Sequence, residues 1–140
     1  ACYKSNLIAA IGSVSGYMLQ STSSVSESEC TPSHSIPLIK LHGTTDYYDG
    51  EGVYNSVDSV LNFWVSFNNT NTDPIINNID DNGTSITSYK YENGDNNVSV
   101  EHYKIIGGEH VWFNNDFNGK NTGQLIWDFV SKYDIDGLIE

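Results

Sequence analysis

The chain has 140 residues, of which 38% are hydrophobic and 12% aromatic, and 18 acidic residues against 6 Lys plus Arg give a formal net charge of −12. A chain of this length forms one domain that buries about two thirds of its unfolded surface, so we expect a single domain over residues 1–140. The negative charge repels phosphate backbones and anionic membrane surfaces, which excludes nucleic acid and membrane as expected partners. No apolar run reaches the about 18 residues that a membrane span needs.

The first elements along the chain are predicted to be short buried strands. The opening ACYKSN is typical of the last turn of a helix, and the apolar run LIAAIGSV at residues 7–14 predicts a strand. A loop rich in Ser and Thr follows at about residues 20–35. Pro37 then opens a second strand, PLIKLHG, which ends at Gly43 and is followed by the polar loop TTDYYDGEG.

Two helices are predicted from the spacing of their apolar residues. The first apolar stripe consists of Val57, Val60, Leu61, Trp64 and Val65. Asn55 or Ser56 is a suitable N-cap for this helix, which ends at NNTNTD before Pro74. The second stripe consists of Leu125, Ile126, Phe129, Val130 and Tyr133. Asn121, with Gln124 three residues later, predicts a reciprocal cap.

Between the two helices, residues 84–91 and 98–106 are rich in β-forming side chains, and ENGDNN separates them. This pattern predicts a hairpin. The order along the chain is then strand, strand, helix, hairpin, helix. Strands that alternate with helices favour a layered α/β domain.

The two cysteines, Cys2 and Cys30, leave two interpretations open. They form one disulfide in an oxidising compartment, or they are two buried free thiols. The acidity of the chain and its few lysines suit an exported protein, so we expect a secreted location.

Two loops that follow predicted strands carry the titratable groups of most interest. Asp46 lies in HGTTD, after the strand that ends near Gly43, and His110 lies in GGEHVW, after the strand at 98–106. Functional loops of an α/β sheet gather at the carboxyl ends of its parallel strands, so these two side chains are expected to meet. A carboxylate on one imidazole nitrogen leaves the other free as a general base. Gly107 and Gly108 permit the tight turn and close backbone approach that this arrangement needs.

Five segments also resemble a known family. In order and spacing, ACYKSNLIAAIGSVSG, PLIKLHGTTD, SVDSVLNFWV, VEHYKIIGGEHVW and LIWDFVSKY resemble the C-terminal half of secreted α/β-hydrolase esterases, the group of polyhydroxybutyrate depolymerases and feruloyl esterases. The resemblance implies an α/β fold with a mostly parallel sheet and flanking helices, truncated before the nucleophile elbow. It implies that Asp46 and His110 are the acid and base of a Ser-Asp-His triad. The family also pairs cysteines near the hairpin, where this sequence has none.

The serine of such a triad is not identified in the sequence. GSVSG at residues 12–16 is not a G-x-S-x-G elbow, because its third position is Val14 and its serines are Ser13 and Ser15. We expect this stretch to be a strand end and turn. By the resemblance, the nucleophile and the oxyanion hole lie upstream of Ala1, so the chain is expected to be an inactive fragment of the parent esterase.

Several neighbouring residues have simpler interpretations. Asp46 could be a turn residue that caps the next helix, and His110 could be a loop histidine without a catalytic role. Asp49 and Glu51 are expected to be solvated loop charges. His42, at the end of its strand, is expected to be a satisfied structural residue.

The three tryptophans have different expected positions, and two sequence patterns bear on metal binding. Trp112 is expected to line an acyl or aromatic substrate pocket, or else to pack in the core or at its rim. Trp64 and Trp127 lie on the predicted helices and are expected to pack against the sheet. DYYDGEG lacks the alternating ligands of a calcium loop, and no His/Cys cluster has zinc spacing. We therefore expect neither a metal nor a cofactor.

The function that the resemblance implies is a serine carboxylic-ester hydrolase that acts on polyesters or feruloylated polysaccharides. The alternative is a non-catalytic carbohydrate-binding module that uses Trp112 and nearby tyrosines. A third possibility is an enzyme similar to dienelactone hydrolases, with a cysteine nucleophile upstream. The choice of ester and the oligomeric state stay open. The strand at residues 7–14 would present an open apolar edge, which predicts poor solubility of this chain.

Overall fold

The computed structural model describes residues 1–20 and 30–139. Its strands are β1 (Ile11–Val14), β2 (Leu38–Gly43), β3 (Ile75–Asp81), β4 (Thr84–Tyr91), β5 (Val100–Ile105), β6 (Tyr133–Asp134) and β7 (Gly137–Leu138), and its α-helices are α1 (Val57–Phe67) and α2 (Thr122–Val130). The first five strands form one sheet, and β6 and β7 form a separate small hairpin.

The main sheet has the strand order β1-β2-β5-β4-β3. Strands β1, β2 and β5 run parallel, whereas β4 is antiparallel to β5 and β3 is antiparallel to β4. The prediction of a mostly parallel sheet is therefore confirmed only for β1, β2 and β5, because short connections join β3, β4 and β5 in antiparallel pairs. The turn between β3 and β4 contains Asn82 and Gly83, both with positive φ, as tight hairpin turns require.

A helix packs on each face of this sheet, because the side chains of the central strands alternate between the two faces. Every residue of β2 is buried. Leu38 packs in the apolar cluster that contains the buried stripe of α1. Ile39 and Leu41 pack in the cluster that contains the buried side chains of α2. The predicted layered α/β architecture is confirmed at this level.

The caps of both helices follow from local sequence. Ser56 is the N-cap of α1, and its hydroxyl accepts a hydrogen bond from the N–H of Ser59 at 3.1 Å. Asn121 caps α2 in the same way, accepting from the N–H of Gln124 at 2.9 Å. The side chain of Gln124 does not complete the predicted reciprocal cap, because its amide donates to Asp128 at 2.5 Å.

Other predictions are wrong in part. Trp64 is buried as expected, but Trp127 is 64% exposed, because it lies outside the apolar stripe of α2 that faces the sheet. The chain opens with a 3-10 turn at Ser5–Leu7 rather than the end of an α-helix, and β1 starts only at Ile11. Strand β3 was not predicted. The predicted loop at 20–35 lies partly outside the described residues.

The two cysteines are joined. Cys2 and Cys30 form a disulfide with their Cα atoms 4.5 Å apart, so of the two interpretations left open by the sequence, the structure has the disulfide. Neither α-helix in residues 1–20 and 30–139 combines the length and apolarity needed to cross a membrane.

Candidate active site

Three parallel strand ends build the site. Strands β1, β2 and β5 are neighbours in the sheet, with Val14 opposite Leu41 and Gly43 opposite Ile105. The segments that leave these strands therefore emerge together at the carboxyl ends of the parallel strands. They carry the side chains of Tyr17, Asp46 and His110 respectively.

Hydrogen bonds from backbone groups and threonine hydroxyls join the loops after β2 and β5. The N–H and the hydroxyl of Thr45 both donate to the carbonyl of Gly108, at 2.9 and 2.8 Å. The N–H of Gly107 donates to the hydroxyl of Thr44 at 2.9 Å. Gly107 has a φ of +74°, in the left-handed region that favours glycine. The tight turn and close approach predicted for these glycines are present.

This contact brings the two predicted titratable residues together. The Nδ1 atom of His110 lies 3.0 Å from the Oδ2 atom of Asp46. Because an ionised carboxylate only accepts hydrogen bonds, Nδ1 carries the hydrogen, and in the neutral ring Nε2 carries the lone pair. The Asp46 side chain is fully buried, whereas 49% of the His110 side chain is exposed. The buried Asp46 carboxylate thus orients the imidazole from the protein interior, while about half of the His110 side chain stays accessible to solvent.

Hydrogen bonds keep the buried carboxylate of Asp46 ionised. Its Oδ1 atom accepts from the N–H of Tyr48 at 3.1 Å. Burial raises the pKa of Asp46, but hydrogen bonds from the Tyr17 hydroxyl, the Tyr48 N–H and His110 outweigh it, and the pKa lies below its usual value. Burial and the bond to Asp46 raise the pKa of Tyr17, so its phenol stays protonated.

His42 is a second histidine neighbour of Asp46. Its Nε2 atom lies 3.0 Å from Oδ2 of Asp46 and 2.9 Å from the hydroxyl of Tyr17. Its buried Nδ1 atom has no hydrogen-bond partner among the described residues. The expectation of a fully satisfied structural histidine is therefore wrong for one ring nitrogen. Burial and the charge of Lys40 lower the pKa of His42 to about 4, so the ring is neutral at physiological pH.

Aromatic rings surround His110. The ring of Tyr17 lies parallel to the imidazole, with a centroid distance of 5.9 Å and an interplanar angle of 7°, and Tyr48 meets it edge-on at 5.4 Å. Trp112 is 58% exposed and Tyr47 80% exposed, so core burial of Trp112 is excluded. Tyr17 is not among the site residues predicted from the sequence, although it follows a predicted strand just as Asp46 and His110 do.

No serine in the described residues completes the pair. Gly12 and Val14 lie in β1, and Ser15 follows with a φ of +49°, so the predicted strand end and turn are confirmed. The hydroxyl of Ser15 donates to the carbonyl of Val111 at 3.0 Å. Within residues 1–20 and 30–139, no serine hydroxyl is hydrogen-bonded to His110.

Two other acidic residues, Asp49 and Glu51, lie in the loop that carries Asp46. Asp49 is exposed, and its carboxylate accepts from the N–H of Val57 at 2.7 Å, at the start of α1. Glu51 is also exposed. The described part of the chain contains no group of three or more His, Cys, Asp or Glu side chains that could hold a metal ion.

A cavity of about 300 Å³ lies on the α1 side of His42 and contains neither Asp46 nor His110. It is lined by His42, Gly43, Thr44, Asp49, Val57, Asp58, Leu61, Tyr89, Tyr91, His102 and Lys104. The exposed ring of His110 is therefore the more direct point of access to the acid–base pair.

No protein-family model matches the chain, and no curated protein matches it either. An imidazole with its Nδ1–H on a buried carboxylate and its Nε2 lone pair near solvent can accept a proton from a hydroxyl, a thiol or water.

Proposed function

We propose that this chain supplies the acid and base of a Ser-Asp-His triad in a secreted carboxylic-ester hydrolase, as the C-terminal half of an α/β-hydrolase domain. The observation that carries the proposal is the 3.0 Å hydrogen bond from Nδ1 of His110 to the buried carboxylate of Asp46. Both residues stand at the carboxyl ends of adjacent parallel strands, where such sites are built. The chain order, acid before base, is that of hydrolases whose serine comes earlier.

In this proposal a serine outside the chain attacks the ester carbonyl. Nε2 of His110 accepts the serine proton as the acyl-enzyme forms, and it returns that proton to the departing alcohol. In the second half, Nε2 takes a proton from water as the water oxygen attacks the acyl carbon, and it passes that proton to the serine oxygen as the bond to serine breaks and the carboxylic acid is released. Asp46 holds Nδ1–H throughout and stabilises the imidazolium.

The substrate class follows from the family resemblance and is consistent with the surface beside His110. Polyesters and feruloylated polysaccharides both present an apolar or aromatic acyl group. Trp112, two residues after His110, and Tyr47, next to Asp46 in the chain, are 58% and 80% exposed and offer aromatic surface. We assign Trp112 to the substrate-binding surface.

Substitutions in the natural full-length protein test the triad. Asp46→Asn is expected to lower ester hydrolysis by about 10⁴-fold, as loss of the orienting acid does in such triads, and His110→Ala, which removes the general base, should lower it at least as much. Glu51→Gln is the matched control, since Glu51 is an exposed carboxylate in the same loop as Asp46, and its activity should be unchanged. A folded His110→Ala protein with undiminished hydrolysis would exclude the assignment.

Labelling locates the nucleophile. A fluorophosphonate probe should react with the full-length protein and leave residues 1–140 expressed alone unlabelled. Labelling of this chain by itself would contradict the proposal that its serine lies outside. A natural protein without a G-x-S-x-G motif upstream of Ala1 would contradict it as well.

The exposed aromatic surface also favours a second candidate, a non-catalytic carbohydrate-binding module. Trp112 and Tyr47 are exposed enough to stack on sugar rings. Calorimetric titration with soluble xylan would then show binding that Trp112→Ala abolishes and His110→Ala leaves intact. The esterase proposal predicts instead that His110→Ala abolishes ester hydrolysis, because His110 is required for turnover.

A further inference from the structure

The proposed triad chemistry leaves one contact of Asp46 without a role. The Oδ2 atom that meets Nδ1 of His110 also lies 3.0 Å from Nε2 of His42. The hydroxyl of Tyr17 lies 2.9 Å from the same Nε2 atom and is itself hydrogen-bonded to Asp46. A buried carboxylate thus sits among two histidines and a tyrosine.

The protonation of His42 follows from its surroundings. A hydrogen on the buried Nδ1 atom would have no acceptor among the described residues, and it would leave the Nε2 lone pair facing a carboxylate oxygen. A hydrogen on Nε2 instead donates to Asp46. The Tyr17 phenol is likewise a protonated donor. Both groups are therefore neutral.

Three further charged or titratable side chains from β2 and the two loops surround Asp46. Lys40 on β2 is the nearby buried cation, and its ammonium donates to the carbonyl of Gly16. Asp49 in the same loop as Asp46 adds a negative charge, and His110 comes from the loop after β5. The neighbours that touch the carboxylate hold it through hydrogen-bond dipoles, and Lys40 is the buried cation that partly offsets its charge from a distance.

We propose that His42 and Tyr17 are positioning residues, which fix the Asp46 carboxylate through neutral hydrogen bonds so that it orients the imidazole of His110. This inference rests on the proposed function for its catalytic meaning. Its physical content, the orientation of Asp46 and hence of His110, holds for this chain by itself. It can therefore be measured without a substrate.

Three variants of residues 1–140, studied at low salt, where the net charge of −12 opposes association, test the proposal. His42→Leu removes the donor, and His42→Gln keeps an N–H donor at a similar distance. Tyr17→Phe removes the hydroxyl and keeps the ring. Nitrogen-15 NMR reports which ring nitrogen of His110 carries the hydrogen, and carbon-13 NMR follows the titration of the Asp46 carboxyl.

The expected result has a definite pattern. His42→Leu and Tyr17→Phe should lower the population of the Nδ1–H form of His110 and raise the pKa of Asp46, while His42→Gln restores both toward the unsubstituted chain. Thermal unfolding followed by circular dichroism shows that each variant is folded. If His42→Leu does not fold, Tyr17→Phe decides alone. Unchanged NMR values in a folded donor-less variant would overturn the proposal.

Kinetics in the natural full-length protein separate this inference from the proposed function. His42→Leu should lower kcat about ten- to hundred-fold, the range for a hydrogen bond to a charged group, with KM unchanged. If His110→Ala leaves hydrolysis intact, the triad assignment fails whatever the NMR shows. If His110→Ala abolishes hydrolysis while His42→Leu changes neither kcat nor the NMR values, only the positioning role fails.

Discussion

Gly43, the last residue of β2, has little freedom to change. A Cβ atom added there would lie 2.1 Å from the carbonyl oxygen of Gly108, which is far shorter than the contacts that real Cβ atoms make. The backbone of the loop that carries His110 therefore packs directly on the end of β2. This close approach is what allows a single hydrogen bond to join Asp46 to His110.

Gly43→Ala is expected to push these loops apart. The chain should lose at least about 1–3 kcal/mol of unfolding free energy, the usual cost of overpacking. It should also lose the Nδ1–H signal of His110 in nitrogen-15 NMR. Gly123→Ala is the control, since a Cβ there has its nearest neighbour at 3.4 Å. Equal urea midpoints for the two variants would contradict the expectation.

At the scale of elements, the central strands carry basic side chains into the interior. Lys40 and His42 on β2 and His102 on β5 are each at most 4% exposed. Nδ1 of His102 lies 3.2 Å from the carbonyl of Lys40, and its ring stacks on that of Tyr89. Burial lowers the pKa of His102 to about 3, compared with about 4 for His42.

These lowered values predict loss of stability in mild acid. Below pH 6.5 the unfolded chain binds protons at His42 and His102, whereas the folded chain does not bind them until the pH falls much lower. Stability is therefore highest above pH 6.5 and falls toward pH 4 for His42 and toward pH 3 for His102, by about 1.4 kcal/mol per pKa unit.

Urea unfolding across this pH range measures the effect, and His102→Gln should flatten the profile. Glu101, whose pKa burial raises above 4.5, works in the opposite direction, so the difference between the two chains isolates the histidine. Asp46, with its lowered pKa, contributes mainly below pH 3.8. Parallel profiles for the variant and the unsubstituted chain would show that His102 is not buried as a neutral ring.

At the scale of the whole molecule, the two edges of the main sheet differ. Strand β3 forms one edge, and it carries Asp80 and Asp81 and follows Pro74, which are features that discourage pairing with other strands. Strand β1 forms the other edge with the sequence IGSV, which has no charge. The net charge of −12 opposes association of whole molecules.

We expect residues 1–140 to self-associate through β1, and more strongly at high salt, because the Debye length shrinks to about 3 Å at about 1 M salt and the repulsion is screened. Ser13→Lys, in the middle of β1, should return the chain toward a monomer in light scattering. Ile75→Lys on the β3 edge is the matched control and should change little. A cooperative, monomeric melt of the unsubstituted chain at all salt concentrations would contradict the expectation.

The elements that the sequence predicted correctly depend on local patterns. The apolar stripes of α1 and α2, with their Ser56 and Asn121 caps, repeat within one or two helical turns. Strands β2, β4 and β5 are compact runs of β-forming residues. Strand β3 was missed because it is rich in Asn and Asp, although its Asn82-Gly83 turn was a usable signal.

By itself, the sequence determined the two helices, the central strands and the two loops that carry Asp46 and His110, because each depends on residues close together in the chain. Only the tertiary structure decided the mixed strand order, the exposure of Trp127 and the gathering of Tyr17 and His42 around Asp46. These features depend on which distant strand ends lie side by side and on how deeply each group is buried. Both are set by the packing of the whole sheet between α1 and α2.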